Sequence, residues 1–129
     1  MKLHHVAVVC SSLEKADRFY QGILELEKIK TSTLSRNLAE QIFDRDIECQ
    51  LILYSGEALS IEVFLVGTGK STVRSFEHIC LQVKNRETFL KRCQVAGLKV
   101  NRIPKGDSTL VFIEDFDGNL FEIKELAGL

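Results

Sequence analysis

The segment HHVAVV at residues 4–9 returns as EHICLQV at residues 77–83, and this repeat decides the fold. The two copies align His5 with His78, which lies 73 residues later. Each copy is a short apolar run typical of a strand, followed by a polar break and a stretch with helical periodicity. A repeat of this kind indicates two similar modules within one chain.

A helix is predicted after each copy. In the first, Ser11 and Glu14 form a capping box, in which Ser11 is the N-cap. Apolar residues then recur at helical spacing at Leu13, Ala16, Tyr20 and Ile23. The second helix is predicted to begin at Asn85 and to end at Gly97, and a short extra helix is predicted over residues 36–43.

Three strands are predicted after each main helix, because alternating apolar residues are bounded there by turn-forming residues. The predicted strands are residues 26–32, 47–54, 59–66, 100–103, 109–114 and 120–124. The fold class is therefore α+β, with two βαβββ modules in a single domain over residues 1–129. The modules span residues 1–66 and 76–129, and residues 67–75 form a polar linker.

Composition excludes several classes of protein. The 129 residues are 45% hydrophobic and 27% charged, with a net charge of −1, which is typical of a globular domain. Such a balance predicts no nucleic-acid partner and no membrane partner. The start of the chain does not resemble a signal peptide, and the four cysteines show no CxxC spacing. We therefore expect a cytoplasmic protein with buried, reduced thiols.

Four ionisable residues stand out because they lie within apolar strands: His5, Glu62, His78 and Glu122. Each module contributes one histidine from its first strand and one glutamate from its last. Burying a carboxylate without a partner costs several kcal/mol, and a divalent cation removes that cost. Two imidazoles and two carboxylates suit one divalent ion of Ni, Co, Zn, Mn or Fe. His4 is expected on the opposite face of its strand and is not a predicted ligand.

The chain resembles the vicinal oxygen chelate superfamily, which includes glyoxalase I, methylmalonyl-CoA epimerase, fosfomycin resistance proteins and extradiol dioxygenases. The matching segments occur in order along the whole chain: HHVAVV, SLEKADRFYQGILEL, IEVF, EHICLQV and EDFDGNLFEI. The resemblance implies a curved sheet that cups one metal ion. In the glyoxalase-like branch it implies His5, Glu62, His78 and Glu122 as the ligands.

The resemblance also implies an enzyme. A substrate with two adjacent oxygens would chelate the metal, and a glutamate would act as general base in a lyase, isomerase or epimerase reaction. Glu122 is the first candidate for the base and Glu62 the second. The substrate stays open, since Val9 and Val66 replace an arginine and an asparagine that glyoxalase I usually has, and Glu62 replaces the glutamine typical of the epimerase.

Two alternative functions and the oligomeric state remain open. An extradiol-type dioxygenase would use Fe(II) on His5, His78 and Glu122. A ligand-sequestering protein of the bleomycin-resistance type would need no metal and no carboxylate in an apolar strand. We expect a homodimer, because small modules leave open sheet edges. Whether modules pair within a chain or across two chains is not determined by the sequence.

Overall fold

The computed structural model describes residues 1–69 and 76–126 and divides into two units, Met1–Lys70 and Ser71–Leu129. Residues 70–75 of the predicted linker lie outside the described residues. Each unit contains one four-stranded mixed sheet, and the described part of the chain contains helices from both modules. The prediction of an α+β fold with two βαβββ modules is confirmed.

The first unit has the sheet order β1-β4-β3-β2. Its strands are β1 (Val6–Cys10), β2 (Glu27–Leu34), β3 (Cys49–Ser55) and β4 (Ser60–Leu65). β1 runs parallel to β4, and the remaining pairs are antiparallel. The edge strand β1 is therefore the direct neighbour of β4, which brings the first and last strands of the module together.

One face of this sheet forms the core. Helix α1 (Leu13–Ala16) continues as a π-helix over Asp17–Ile23 and buries Phe19 and Tyr20 completely. Alternate residues of β3 and β4 face the same core and are equally buried, namely Ile52, Tyr54, Ile61 and Val63. Glu62 and Phe64 lie on the opposite face because of this alternation.

The second unit repeats the same arrangement, with the order β5-β8-β7-β6. Its strands are β5 (Ile79–Val83), β6 (Val100–Lys105), β7 (Ser108–Glu114) and β8 (Leu120–Glu125). β5 runs parallel to β8. Helix α3 (Arg86–Val95) begins at the predicted N-cap, Asn85, whose side chain accepts a hydrogen bond from the backbone of Thr88 at 3.0 Å.

The extra helix of the first unit, α2 (Arg36–Phe43), has the predicted bounds. The N-terminus of α1 differs from the prediction by one residue: Ser12, not Ser11, is the N-cap and accepts a hydrogen bond from Lys15 N at 3.3 Å. The capping-box spacing to Glu14 points to Ser11, but Ser12 has the extended backbone of an N-cap and caps the helix without an acidic residue three positions on.

All four cysteines are free thiols. Cys10, Cys49 and Cys93 are buried as expected, but Cys80 is exposed. The prediction of burial is wrong for Cys80 because this residue lies on the face of β5 that does not contact the core. No helix in residues 1–69 or 76–126 is long and apolar enough to cross a membrane.

Candidate metal centre

The first unit brings His5 and Glu62 together. His5 immediately precedes β1, and its Nε2 lies 3.7 Å from Oε1 of Glu62 in the neighbouring strand β4. The side chains are 35% and 27% exposed, so both remain accessible. The sequence placed His5 within the first strand, and the structure places it one residue before the strand begins.

His4 contacts His5, contrary to its expected separation from the site. The two Nδ1 atoms are 2.9 Å apart, and the rings meet edge to face with centroids 5.1 Å apart. One of these nitrogens must donate and the other accept. When His5 donates, its Nε2 is unprotonated in the neutral ring and faces Glu62 as a potential metal ligand.

The second unit contains an equivalent pair. His78 immediately precedes β5, and its Nε2 lies 3.5 Å from Oε1 of Glu122 in β8. His78 Nδ1 donates to the carbonyl oxygen of Phe76 at 2.8 Å, because a carbonyl can only accept. Glu122 is the more protected carboxylate, since its side chain is 15% exposed.

The two pairs have the same construction. In each, the residue two positions after the histidine is the Cα partner of the glutamate: Ala7 pairs with Glu62, and Cys80 pairs with Glu122. Alternation along a strand places residues two apart on one face. The same strand register therefore produces the same histidine–glutamate juxtaposition twice.

Each pair fits a divalent ion. Two ligand atoms that each lie about 2.1 Å from the same metal ion are about 3–3.5 Å from each other at common coordination angles. The distances from histidine Nε2 to glutamate Oε1, 3.7 and 3.5 Å, are close to this range. A Nδ1 atom held by a neighbouring group is also the usual arrangement for a histidine that binds metal through Nε2. Within the described ranges, no group of three or more His, Cys, Asp or Glu is arranged to hold a metal ion. The structure thus shows the predicted ligands as two pairs.

Two cavities of the first unit flank the His5–Glu62 pair along β1 and β4. One, of about 390 Å³, is lined by residues 2–5 and by the loop at residues 56–60. The other, of about 370 Å³, is lined on these strands by Val9, Phe64 and the following Val66. The strand register places Val9 and Phe64 on the face that carries Glu62.

The surroundings of the His78–Glu122 pair are partly apolar and partly polar. The rings of His78 and Phe112 meet edge to face with centroids 5.7 Å apart. Cys80 lies beside Glu122 in the sheet, and its pKa is raised, mainly by desolvation and further by the Glu122 carboxylate. Gln82 and Lys124 are paired in the register two residues further along these strands, and both are exposed.

Sequence reasoning missed three neighbours of the pairs: His4, the Phe76 carbonyl and Cys80. Cys80 could have been found from the two-residue period of a strand, since it lies two residues after His78. His4 could not, because it precedes β1, where strand alternation does not apply. The Phe76 carbonyl carries no sequence signal, because any residue there offers the same atom.

The sequence profile of the Glyoxalase/Bleomycin resistance protein/Dioxygenase superfamily matches residues 2–123. The chain therefore belongs to this superfamily. No curated protein sequence matches it.

Several solved structures share the fold. The fosfomycin resistance protein FosX from Mesorhizobium loti is 16% identical, with a TM-score of 0.70 over 97% of this chain and 91% of that one. A glyoxalase family protein from Enterococcus faecalis is 17% identical, with a TM-score of 0.74 over 96% and 97%. FosX from Listeria monocytogenes, solved with Mn(II) and sulfate, is 20% identical, with a TM-score of 0.70 over 97% and 92%.

Proposed function

We propose that this protein is a metal-dependent enzyme of lyase or isomerase/epimerase type that moves a proton on a small, vicinally oxygenated metabolite. The observation that carries the proposal is the repeated histidine–glutamate pair, which has the same register and similar atomic separations in both units. A structural role would not require the same two ionisable residues at the same place in each sheet.

The proposed ligands are His5, Glu62, His78 and Glu122, which together hold one divalent ion. The modules that supply them come from one chain or from two chains of a dimer. Two neutral imidazoles and two carboxylates balance a charge of +2, and nitrogen and oxygen donors suit Mn, Fe, Co, Ni or Zn. The Mn(II) in the Listeria FosX structure supports a divalent metal in this superfamily.

The protein side of the mechanism follows from the two glutamates. A bound divalent ion supplies Lewis-acid stabilisation for negative charge on substrate oxygens. Glu122 takes the proton from the substrate carbon next to an oxygenated carbon and returns it to the product. Glu122 is preferred to Glu62 because it is less exposed, 15% against 27%, and electrostatic interactions are stronger where water is excluded.

The cavity at residues 2–5 and 56–60 supports a polar substrate. It includes His5 itself, so a molecule in it reaches the proposed metal ligand. Lys2 lines the same cavity and offers a positive charge to an anionic substituent. The reacting, oxygen-bearing end of the substrate is assigned to this side.

Metal content tests the ligand set. Untagged protein is loaded with Mn(II), Zn(II) or Ni(II), and bound metal is counted by elemental analysis. His78→Ala and Glu122→Gln should each lose most of the metal, while Glu27→Gln, an exposed strand carboxylate in β2, should retain it. Equal metal content in all four proteins would overturn the proposed site.

Proton transfer is tested separately. The metal-loaded protein is incubated in D₂O with α-hydroxy and α-keto thioesters and thiol adducts, and deuterium at the α-carbon is measured by NMR. Exchange is expressed per bound metal ion, because both glutamates are also proposed ligands. Loss of exchange per bound ion in Glu122→Gln would assign the base, and loss only in Glu62→Gln would assign it to Glu62. No exchange, with tight binding of a bulky apolar ligand to metal-free protein, would favour a sequestering function. Oxygen consumption with a catechol and Fe(II) would favour a dioxygenase.

We propose a homodimer as the working assembly. Leu38 and Ile42 lie one turn apart on α2 and are 47% and 61% exposed, and within residues 1–69 and 76–126 each of the two sheets ends in unpaired edge strands. Light scattering at micromolar concentration should give twice 14.6 kDa, and Ile42→Asp should lower that mass while the exposed Val95→Asp on α3 should not. A 14.6 kDa particle for the unmodified protein would contradict the dimer.

A cytoplasmic location remains a prediction.

A further inference from the structure

We propose that the apolar cavity of the first unit binds the hydrocarbon part of an amphipathic carboxylate, whose charged group pairs with Arg45. As a statement about the substrate, this inference rests on the proposed function, because the cavity adjoins the His5–Glu62 pair. As a statement about binding, it rests only on the cavity and on Arg45.

The walls of the cavity are almost entirely apolar. Its volume is about 370 Å³, near the lower end of the range of about 300–1,000 Å³ typical of small-molecule sites. Helix α2 contributes Ala39 and Phe43, and the Phe43 ring meets Phe64 of β4 edge to face with centroids 5.4 Å apart. Ala39 belongs to a buried cluster with Leu34 and Cys49, and both of these residues also line the cavity. A cavity of this composition favours an alkyl or aryl group.

Among the residues of ranges 1–69 and 76–126 that line this cavity, Arg45 supplies the only basic side chain. Its backbone N–H is bonded to Ala39 O at 3.3 Å, but its side chain makes no hydrogen bond or ion pair with any residue in ranges 1–69 and 76–126. The neighbouring Asp46 is already bound by Arg36 at 2.8 Å. Arg45 also lies close enough to Cys49 to oppose the rise in the pKa of that thiol, which is caused mainly by burial. A guanidinium in this position is suited to bind a carboxylate.

The strand register connects the cavity with the proposed metal ligands. Ala7 is the Cα partner of Glu62, and Val9 is the partner of Phe64. Ala7, Val9 and Phe64 line the cavity, so it begins beside Glu62, two residues or roughly 7 Å beyond His5 along the strand. The polar cavity lies on the other side of the pair. The substrate class assigned by this geometry is therefore an oxygenated metabolite that carries an apolar tail with a terminal carboxylate.

Octanoate and 1-octanol are matched probes for this site. Each water-sized group needs about 30 Å³, so the cavity has room for about twelve such groups and accommodates either molecule. Affinities are measured by titration calorimetry on metal-free protein, with ¹³C-methyl NMR of the valines to locate the bound probe. Val9 and Val66 should shift in the unmodified protein.

Two variants separate the contributions of charge and volume. Arg45→Gln should weaken octanoate binding at least about tenfold and leave 1-octanol unchanged, since a charge-assisted pair is lost. Val66→Phe, which fills the cavity, should weaken both probes. Arg92→Gln, on an exposed arginine of α3, should change neither.

Equal octanoate affinity in Arg45→Gln and the unmodified protein would overturn the role of Arg45. Unchanged binding of both probes in Val66→Phe, or valine shifts elsewhere, would overturn the cavity as the site. Absence of binding together with a smaller particle for Val66→Phe would show that a second copy of the chain covers it. The probe titrations use metal-free protein, so octanoate can bind even if the metal-content and proton-transfer tests fail. The proposal for this cavity and the proposed function can therefore fail independently.

Discussion

His78 donates a hydrogen bond from Nδ1 to the carbonyl oxygen of Phe76 at 2.8 Å, while its Nε2 lies 3.5 Å from Oε1 of Glu122. The backbone therefore fixes which nitrogen of the ring carries the proton when the ring is neutral. The other nitrogen, the one beside the carboxylate, has a free lone pair. This arrangement prepares the ring to bind a cation without a change of tautomer.

The first prediction concerns that tautomer. At mildly alkaline pH, long-range ¹H–¹⁵N NMR of metal-free protein should show His78 as the Nδ1–H form, because its Nδ1 faces a group that can only accept. Addition of Zn(II) should shift the Nε2 resonance and leave Nδ1 protonated. A metal-free spectrum with the proton on Nε2 would contradict the hydrogen bond to Phe76.

The second prediction concerns His4. His4→Ala should lower metal affinity about tenfold, because loss of a partner that orients a ligand typically costs 10–100-fold. Affinity is measured by competition with a coloured chelator. Leu3→Ala, at the neighbouring exposed position, serves as the control and should bind as the unmodified protein does. Equal affinity in His4→Ala would mean that the His4–His5 contact does not orient the ligand.

The third prediction concerns Tyr54, which is fully buried and donates to Asp17 Oδ1 at 2.7 Å. Asp17 also accepts from Lys28 at 3.0 Å. Tyr54→Phe should lower the free energy of unfolding by about 1–2 kcal/mol, because Asp17 loses a donor in a part-buried position. Urea unfolding of Tyr54→Phe, Asp17→Asn and the double variant measures the coupling. Additive losses would show that the hydrogen bond contributes nothing.

The same contact gives a pH dependence. Burial first, and then the bond to Asp17, raise the pKa of Tyr54 well above its ordinary value of 10.0. Above about pH 10 the unfolded chain therefore releases a proton that the folded chain keeps, so stability falls as pH rises. Urea unfolding at neutral pH and at about pH 10.5 should show a smaller loss in Tyr54→Phe than in the unmodified protein. Equal losses would exclude Tyr54 as the cause.

The fourth prediction concerns Cys80, the cysteine exposed on the face that carries Glu122. An aromatic disulfide reagent should label one thiol in the native protein and four after unfolding. Desolvation and the Glu122 carboxylate raise the pKa of Cys80, so Glu122→Gln should accelerate labelling. Glu27→Gln is the matched control, and mass spectrometry identifies the labelled residue. A rate unaffected by Glu122→Gln would remove the carboxylate as a cause.

Much of the fold could be predicted because repetition and periodicity are properties of the sequence. The repeated segments located β1 and β5, and the bounds of α2 were predicted correctly. The π-helix at Asp17–Ile23 was not predicted, because Phe19, Tyr20 and Ile23 are spaced for burial in an α-helix as well. Local spacing cannot separate the two helix types when the same residues face the core.

The residues of the site could be predicted from the sequence, but the contacts around them could not. Glu62 and Glu122 were selected because they lie within apolar strands at matching places in the repeat, and the structure places each beside the predicted histidine of its unit. His4 was assigned to the wrong environment, since strand alternation was applied to a residue that precedes the strand. Outside regular structure, side-chain direction depends on local backbone angles that no periodicity encodes.

The identical register of the two pairs also bears on the origin of the chain. In each unit, the residue two positions after the histidine is paired with the glutamate, although the intervening lengths differ. Tandem duplication of a half-length gene would produce this agreement. The ancestral half would already have contained a complete histidine–glutamate pair, so fusion would have altered connectivity without creating new ligands. Later divergence of one half, for instance the addition of helix α2 to the first unit, could then change which substrate is bound, while the other half kept its ligands.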